Sequence, residues 1–342
     1  MSIHHFLSFG VAAAVLASAA GAQAQAPAEF YKGKTVTMVI GSAPGGGYDA
    51  LGRAVARHLP KHIPGNPTLV PQNMSGAGGI IPGNHLYRAA AKDGTVIGTV
   101  NNTVPFEPMF GTKEATYDAT QFNWLGTPSV EIGLVALWNT SKVNNIDDLR
   151  KIEINVGASG ANSTPSFYAR LLNETLGAKM KIVVGYPGQN EAFLAMERGE
   201  LDGYPSTFYS ALTSTRPEWL RDKKVKLIVQ YGPMKLAALP DVPFAPDLLT
   251  KDEDKALLNV AFAPLAIGRP FLMPPGVPAD RVAAMRKAFE DVFKDPEFIA
   301  EANKLQLSVD TPRTGEQLQK EIETAYKAPP ELLARLRRLA QQ

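Results

Sequence analysis

The chain alternates short β-branched runs with amphipathic stretches, and glycine-rich loops join one to the next. Lys34–Gly41 (KTVTMVIG) reads as a strand. The loop Ser42–Tyr48 (SAPGGGY) follows, then Asp49–Leu59 (DALGRAVARHL) with helical periodicity. Asp49 falls in the first turn, where a carboxylate suits the helix dipole. Thr68–Val70 is a second strand, Gln72–Gly79 (QNMSGAGG) a second loop, and Pro82 opens a helix that runs to about Ala91. After the turn Lys92-Asp93-Gly94, Thr95–Val100 is again a strand. This β-α-β-α-β order implies a parallel sheet covered by helices on both faces.

A second run repeats the logic. Val130–Trp138, Ile152–Gly157, Lys181–Gly185 and Val225–Tyr231 read as strands. Ser163 or Thr164 caps a helix that has Pro165 in its first turn and ends near Gly177. Asn190–Arg198 is a helix stopped by Gly199. Pro233–Pro246 is a proline-rich crossover; Ala279–Phe293, Gly315–Ala325 and Leu332–Ala340 have helical periodicity. The expected architecture is two α/β lobes with a cleft between them, the C-terminal helices packing back on the first lobe. The expected boundaries are 25–127 plus 242–342 for the first domain and 128–241 for the second.

Ahead of the first strand, residues 11–20 (VAAAVLASAA) form an apolar run, followed by Ala22-Gln23-Ala24. The run is too short for a bilayer, which takes about 20 apolar residues. It reads as a signal peptide over residues 1–24, although Met1–Gly10 lacks the usual Lys or Arg. The mature protein is expected in a bacterial periplasm. The 342 residues carry 35 Lys and Arg against 33 Asp and Glu, so no strong field points to nucleic acid. There is no Cys, which excludes disulfides, thiolate catalysis and cysteine metal sites. With only 5 His, two of them at positions 4 and 5, neither a cofactor nor a metal is expected.

Three loops share one chemistry: Ala43–Asp49, Ser75–Gly79 and Ser159–Thr164 each follow a strand, are rich in glycine and small polar residues, and precede a helix. Glycine lets backbone amides turn toward a ligand, and helix N-termini favour negative charge. An anion, most simply a carboxylate, suits such loops; glycine-rich turns are also ordinary furniture of α/β proteins. Named motifs fail. Gly45-x-Gly47-x-x-Ala50 lacks the acidic residue that a dinucleotide fold needs after its second strand, which here runs Val70-Pro71-Gln72-Asn73. Gly157-Ala158-Ser159-Gly160-Ala161 is close to a nucleophile elbow, but no His follows His85. His58 and His62 flank Pro60 without a metal motif. Asp49 and Arg53 stand at i, i+4, which makes either a helix ion pair or a carboxylate facing the cleft. Tyr48, Tyr186, Phe208 and Tyr209 fall in or near the loops, as cleft walls or as ordinary packing.

Pro44-Gly45-Gly46-Gly47-Tyr48-Asp49, then Gln72–Gly79, then Ala91-Lys92-Asp93-Gly94-Thr95 resemble the Bug receptors of the tripartite tricarboxylate transporters. The stretches Gly157–Ser163, Glu197–Gly203 and Pro274-Pro275-Gly276-Val277-Pro278 extend that resemblance, while Gly185-Tyr186-Pro187-Gly188 departs from it. The resemblance implies a two-lobed periplasmic binding protein fold of type II-like form, each lobe a sheet flanked by helices. It implies a monomeric receptor, not an enzyme, that closes on a small carboxylate and delivers it to large and small membrane permease subunits. It places ligand contacts at Ala43, Pro44, Gly45, Gly46, Tyr48 and Asp49, and at Ser75, Gly76, Ala77, Gly78 and Gly79. In the second lobe it places them at Ser159, Asn162, Ser163, Thr164, Tyr186, Pro187 and Asp202. The competing readings are an exported hydrolase using Ser159 or Ser163, and a ligand sensor for a membrane histidine kinase.

Overall fold

The structure, a computed structural model, describes residues 25–45, 47–161 and 163–341. The signal segment 1–24 and the candidate residues Gly46 and Asn162 lie outside the described residues. Among the described residues, no helix is long and apolar enough to cross a membrane.

The strands form two sheets. The first contains β1 (Thr35–Ile40), β2 (Thr68–Asn73), β3 (Val96–Thr99), β4 (Asn123–Thr127), β10 (Phe271–Met273) and β11 (Arg313–Thr314), in the order β11-β4-β10-β3-β1-β2. The second contains β5 (Gly133–Trp138), β6 (Ile154–Ala158), β7 (Met180–Val184), β8 (Gly203–Phe208) and β9 (Val225–Tyr231), in the order β7-β6-β8-β5-β9. As expected, β1 lies parallel to both β2 and β3. Beyond them the first sheet is not parallel: β10 runs antiparallel between β3 and β4, and β11 antiparallel to β4. The chain leaves the first sheet after β4 and returns from the opposite direction, which reverses the incoming strand.

Alternation decides the layers. On β1, Val36, Met38 and Ile40 face one core, shared with Leu51 and Val55 of helix Gly47–His58 and with Met285 and Phe289 of helix Ala279–Val292. Val39 faces the other, with Leu86, Trp124, Leu318 and Ile322. The second sheet is covered on one face by helix Thr164–Leu176 and on the other by helix Gln189–Glu197. Helix Thr164–Leu176 has Ser163 at its N-cap position and Pro165 in its first turn, and stops at Gly177 in the left-handed region, φ 71°. Thr314 and Gln317 form a reciprocal capping box on helix Gly315–Tyr326.

One packing arrangement differs from expectation. Leu257, Leu258 and Ala261 of helix Asp252–Ala261, and Leu332, Leu336 and Leu339 of helix Pro330–Gln341, are buried in the core of the second sheet, not the first. The Pro330–Gln341 helix also touches the first half: the Arg337 guanidinium donates twice to the Met109 carbonyl, at 3.0 and 2.8 Å. Arg335 meanwhile binds Glu174 of helix Thr164–Leu176 and Asp254, the latter at 2.8 Å. The helix therefore straddles the two halves.

Candidate functional site

In open α/β sheets ligands sit beyond the carboxyl ends of the strands. In the first sheet those ends are Ile40, Asn73 and Thr99, so the loops after β1, β2 and β3 gather at one edge. Two hydrogen bonds join them: the Asn102 amide donates to the Tyr48 hydroxyl at 3.0 Å, and the Asn101 side chain donates to the Gly78 carbonyl at 3.1 Å. The second loop turns through four successive positive φ angles, at Gly76 (142°), Ala77 (44°), Gly78 (65°) and Gly79 (103°). Three of these are glycine because other residues reach this region only with strain; Ala77 carries that strain.

Asp49 serves the loop, not the cleft. Its carboxylate accepts from the Gly45 amide at 2.9 Å, from Asn73 Nδ2 at 2.8 Å and from Arg53 Nε at 2.9 Å. Asn73 in turn donates to the Ser42 carbonyl at 3.0 Å and accepts from Arg53. Burial raises the Asp49 pKa, but the Gly45 amide, Asn73 and Arg53 outweigh it and hold the carboxyl below its ordinary value. Of the two readings for Asp49 and Arg53, the ion pair is the one observed.

In the second sheet the carboxyl ends are Ala158, Val184 and Phe208. Ser163 Oγ donates to the Gly160 carbonyl at 2.7 Å, and Ser166 Oγ to the same oxygen at 2.6 Å. Ser163 therefore stiffens its own loop. Tyr186 packs half-buried against the helix 189–197 core, and Pro187 is exposed beside it. The placement of Asp202 corrects the expected contact there. It precedes β8 and accepts the Asn155 amide at 2.8 Å, near the start of β6. Its carboxylate is taken up by that amide, and it is not among the residues that line the cleft, although Tyr204, two positions on, is.

Between the two edges lies a cleft of about 550 Å³. From the first half it takes Asn102, Thr103, Glu107, Phe110 and Thr112, and from the second Ser163, Thr164, Phe167, Tyr168, Gln189, Tyr204, Ser206 and Phe208. Pro264, Leu265, Ala340 and Gln341 also line it. Ser163, Thr164 and the aromatic Phe208 are the sequence-read residues that line it. Ala43, Pro44, Gly45, Ser75, Ala77 and Gly78 stand exposed at the same edge of the first sheet, behind Asn101 and Asn102, with Gly76 half-buried and Gly79 buried. Ser159 is exposed on the second-sheet loop. Glu107, Phe110 and Phe167 were not signalled by the sequence, because nothing local marks a residue that faces a cleft made by distant elements.

Three crossing segments lie side by side behind the cleft. The Glu131 amide donates to the Leu265 carbonyl at 3.0 Å, and the Val130 amide to Thr311 Oγ1 at 3.0 Å. Gly268 sits at φ 55°, and a Cβ there would lie 1.8 Å from the Ser129 carbonyl oxygen. Arg269 reaches across: its guanidinium lies 5.6 Å from the Tyr48 ring centre and 3.7 Å from the Glu131 carboxylate. Burial pushes Glu131 above its ordinary value, against the pull of Arg269 and of the Ser210 hydroxyl. Burial also pushes the Tyr48 hydroxyl up to about 12, so it stays protonated.

No histidine lines the cleft among the described residues. His58 and His62 instead meet Glu301 and Asp295, at 2.6 and 2.9 Å, on helix Pro296–Lys304 and its cap. His58, Asp295 and Glu297 could together approach one cation, but Lys61 already binds both acids, at 2.7 and 2.5 Å. A second hollow of about 380 Å³ surrounds the Arg286–Glu316 ion pair on the outer helices, away from both carboxyl edges.

The chain resembles known proteins over nearly its whole length. A UPF0065 protein of Bordetella bronchiseptica is 22% identical over 280 residues, covering 79% of this chain and 76% of the relative. A TctC solute binding protein from Polaromonas, solved with no ligand, superposes with a TM-score of 0.71 at 16% identity, covering 90% of this chain and 98% of that one. MatC from Rhodopseudomonas palustris, solved with bound malate, gives a TM-score of 0.60 at 20% identity, covering 90% and 99%. These likenesses establish a two-sheet α/β fold of the periplasmic binding protein kind. The model of the tripartite tricarboxylate transporter family receptor, TctC, matches residues 51–327, and the chain belongs to that family.

Proposed function

We propose that the protein is a periplasmic receptor that captures a small carboxylate in the cleft and hands it to a tripartite membrane permease. The observation that carries this reading is the cleft itself: the carboxyl edges of both sheets face it, and helix Thr164–Leu176 opens on it with Ser163 and Thr164. The first amides of a helix have no partner within the helix and favour an anion. Such donors offset a carboxylate's lost hydration without a cationic side chain. The family and the malate held by MatC point the same way. The first lobe is 25–127 with much of 242–342 and the second 128–241; ligand contacts to both favour the closed form. The glycine loop Ser75–Gly78 supplies further amides as the halves approach.

Calorimetry and thermal shift with malate, adipate, citrate and benzoate test the reading. At least one carboxylate stabilises the protein, and Thr164→Trp, an exposed position at the cleft, abolishes that gain while the apo fold melts normally. Stabilisation by sugars or metal cations and by no carboxylate overturns it.

A further inference from the structure

The cleft has an unusual charge pattern. Among the described residues that line it the single acidic side chain is Glu107, with no Lys, Arg or His to oppose it. One Glu107 oxygen, Oε2, accepts the Thr112 hydroxyl at 2.6 Å. Its other oxygen takes no hydrogen bond among the described residues. The walls are aromatic: Phe110, Phe167, Tyr168, Tyr204 and Phe208 come from both halves. Phe110 and Phe167 meet edge to face across the cleft, ring centres 6.5 Å apart.

A second carboxylate on the ligand would bring like charge against Glu107, which is costly at short range. A protonated amine would meet a free acceptor there and the faces of aromatic rings, both of which favour a cation. The helix 164–176 end of the cleft carries the opposite preference, for an anion. We propose that the cleft selects an aromatic ligand bearing one carboxylate and one protonated amine, an aromatic amino acid in the simplest case, with Glu107 as the residue that reads the amine. This rests on the carboxylate-receptor reading above and narrows its substrate class away from di- and tricarboxylates.

The test uses a near-isosteric pair, 4-(aminomethyl)benzoate and terephthalate, with L-phenylalanine, benzylamine and malate as further probes, by calorimetry on the full mature chain. The wild type binds 4-(aminomethyl)benzoate or L-phenylalanine at least tenfold more tightly than terephthalate or malate, and benzylamine weakly. Glu107→Gln lowers affinity for the amine-bearing ligand by roughly ten- to a hundredfold, the loss expected for one charged hydrogen bond. It raises affinity for terephthalate, while Glu107→Asp keeps the wild-type order of preference. Thermal melts of both variants confirm that each is folded. If the wild type prefers terephthalate or malate, or Glu107→Gln leaves the ratio unchanged, the assignment to Glu107 falls and the carboxylate reading stands. If benzylamine binds and no carboxylate does, both fall.

Discussion

Replacing Asp49 separates a structural latch from a ligand contact. Its side chain is 8% exposed and holds the Gly45 amide, the Asn73 amide and Arg53. Hydrogen bonds to a charged group are worth about 1.5–3 kcal/mol each when the partner is left unmet. The Gly45 and Asn73 amides lie at a loop that relaxes toward water, which recovers part of that. Arg53 is 40% exposed, so its ion pair adds only about 0.5 kcal/mol. Asp49→Ala is therefore expected to cost about 2–4 kcal/mol, a fall in melting temperature of roughly 4–16 °C at 2–4 °C per kcal/mol. Asp49→Asn keeps an acceptor but loses the charge and costs about half as much. Urea and thermal denaturation of the apo protein read both. Binding in the surviving folded fraction stays within severalfold, because the carboxylate faces its own loop. An Asp49→Ala protein that melts within about 2 °C of wild type yet loses ligand refutes the latch and makes Asp49 a ligand residue.

Further predictions follow from the same geometry. Gly268→Ala drives a Cβ into the Ser129 carbonyl and fixes a non-glycine residue at positive φ, a cost of about 3 kcal/mol or more; unchanged urea stability contradicts it. Arg335→Ala strips Glu174 and Asp254 of a cation that is 17% exposed and costs about 2–3 kcal/mol, read by chemical denaturation and by faster proteolysis of the last helix. Asp295 is held well below its ordinary 3.8 by Lys61, His62 and the Glu297 amide, against the upward push of burial. Its contribution is present above about that pH and is lost as pH falls through the lowered value. Asp295→Asn consequently flattens the loss of urea stability as pH falls below 3.8; an unaltered acid limb contradicts this. Glu131 has the opposite sign: its pKa is raised by burial, so its contribution is fully present below the ordinary 4.5 and is lost as pH rises through the raised value, and Glu131→Gln removes that part of the pH slope.

Much of the architecture was legible because local and tertiary preferences agreed. Lys34–Gly41, Gly315–Ala325 and Val225–Tyr231 pair strong periodicity with clear punctuation, and each forms where the sequence places it. β8 escaped because Pro205 sits inside it, and proline argues against an interior strand. Here the Pro205 carbonyl accepts the Tyr231 hydroxyl at 3.0 Å, and β8 meets β5 with a register shift that accommodates the ring. β10 escaped because three residues before Pro274 carry no period at all. The Pro330–Gln341 helix was legible as a helix but not in its partner, since an apolar stripe of Leu332, Leu336 and Leu339 fits any apolar surface. The glycine-rich loops fall at the carboxyl edges of both sheets, as the sequence order implies. They could not point to Glu107 or Phe110, whose place depends on how the halves face one another.

The interleaved strand β10 also sets an order of events. The five strands of the second sheet come from residues 133–231 without interruption, so that sheet pairs as soon as its stretch of chain exists. The first sheet cannot. Leu272 stands between Gly98 and Trp124, and until residues 271–273 arrive the facing edges of β3 and β4 have no partner. Pairing across such sequence distances is slow, and open edges invite association with other chains. The N-terminal half, made first, is therefore finished last, and during that interval it is the part of the molecule most in need of a chaperone.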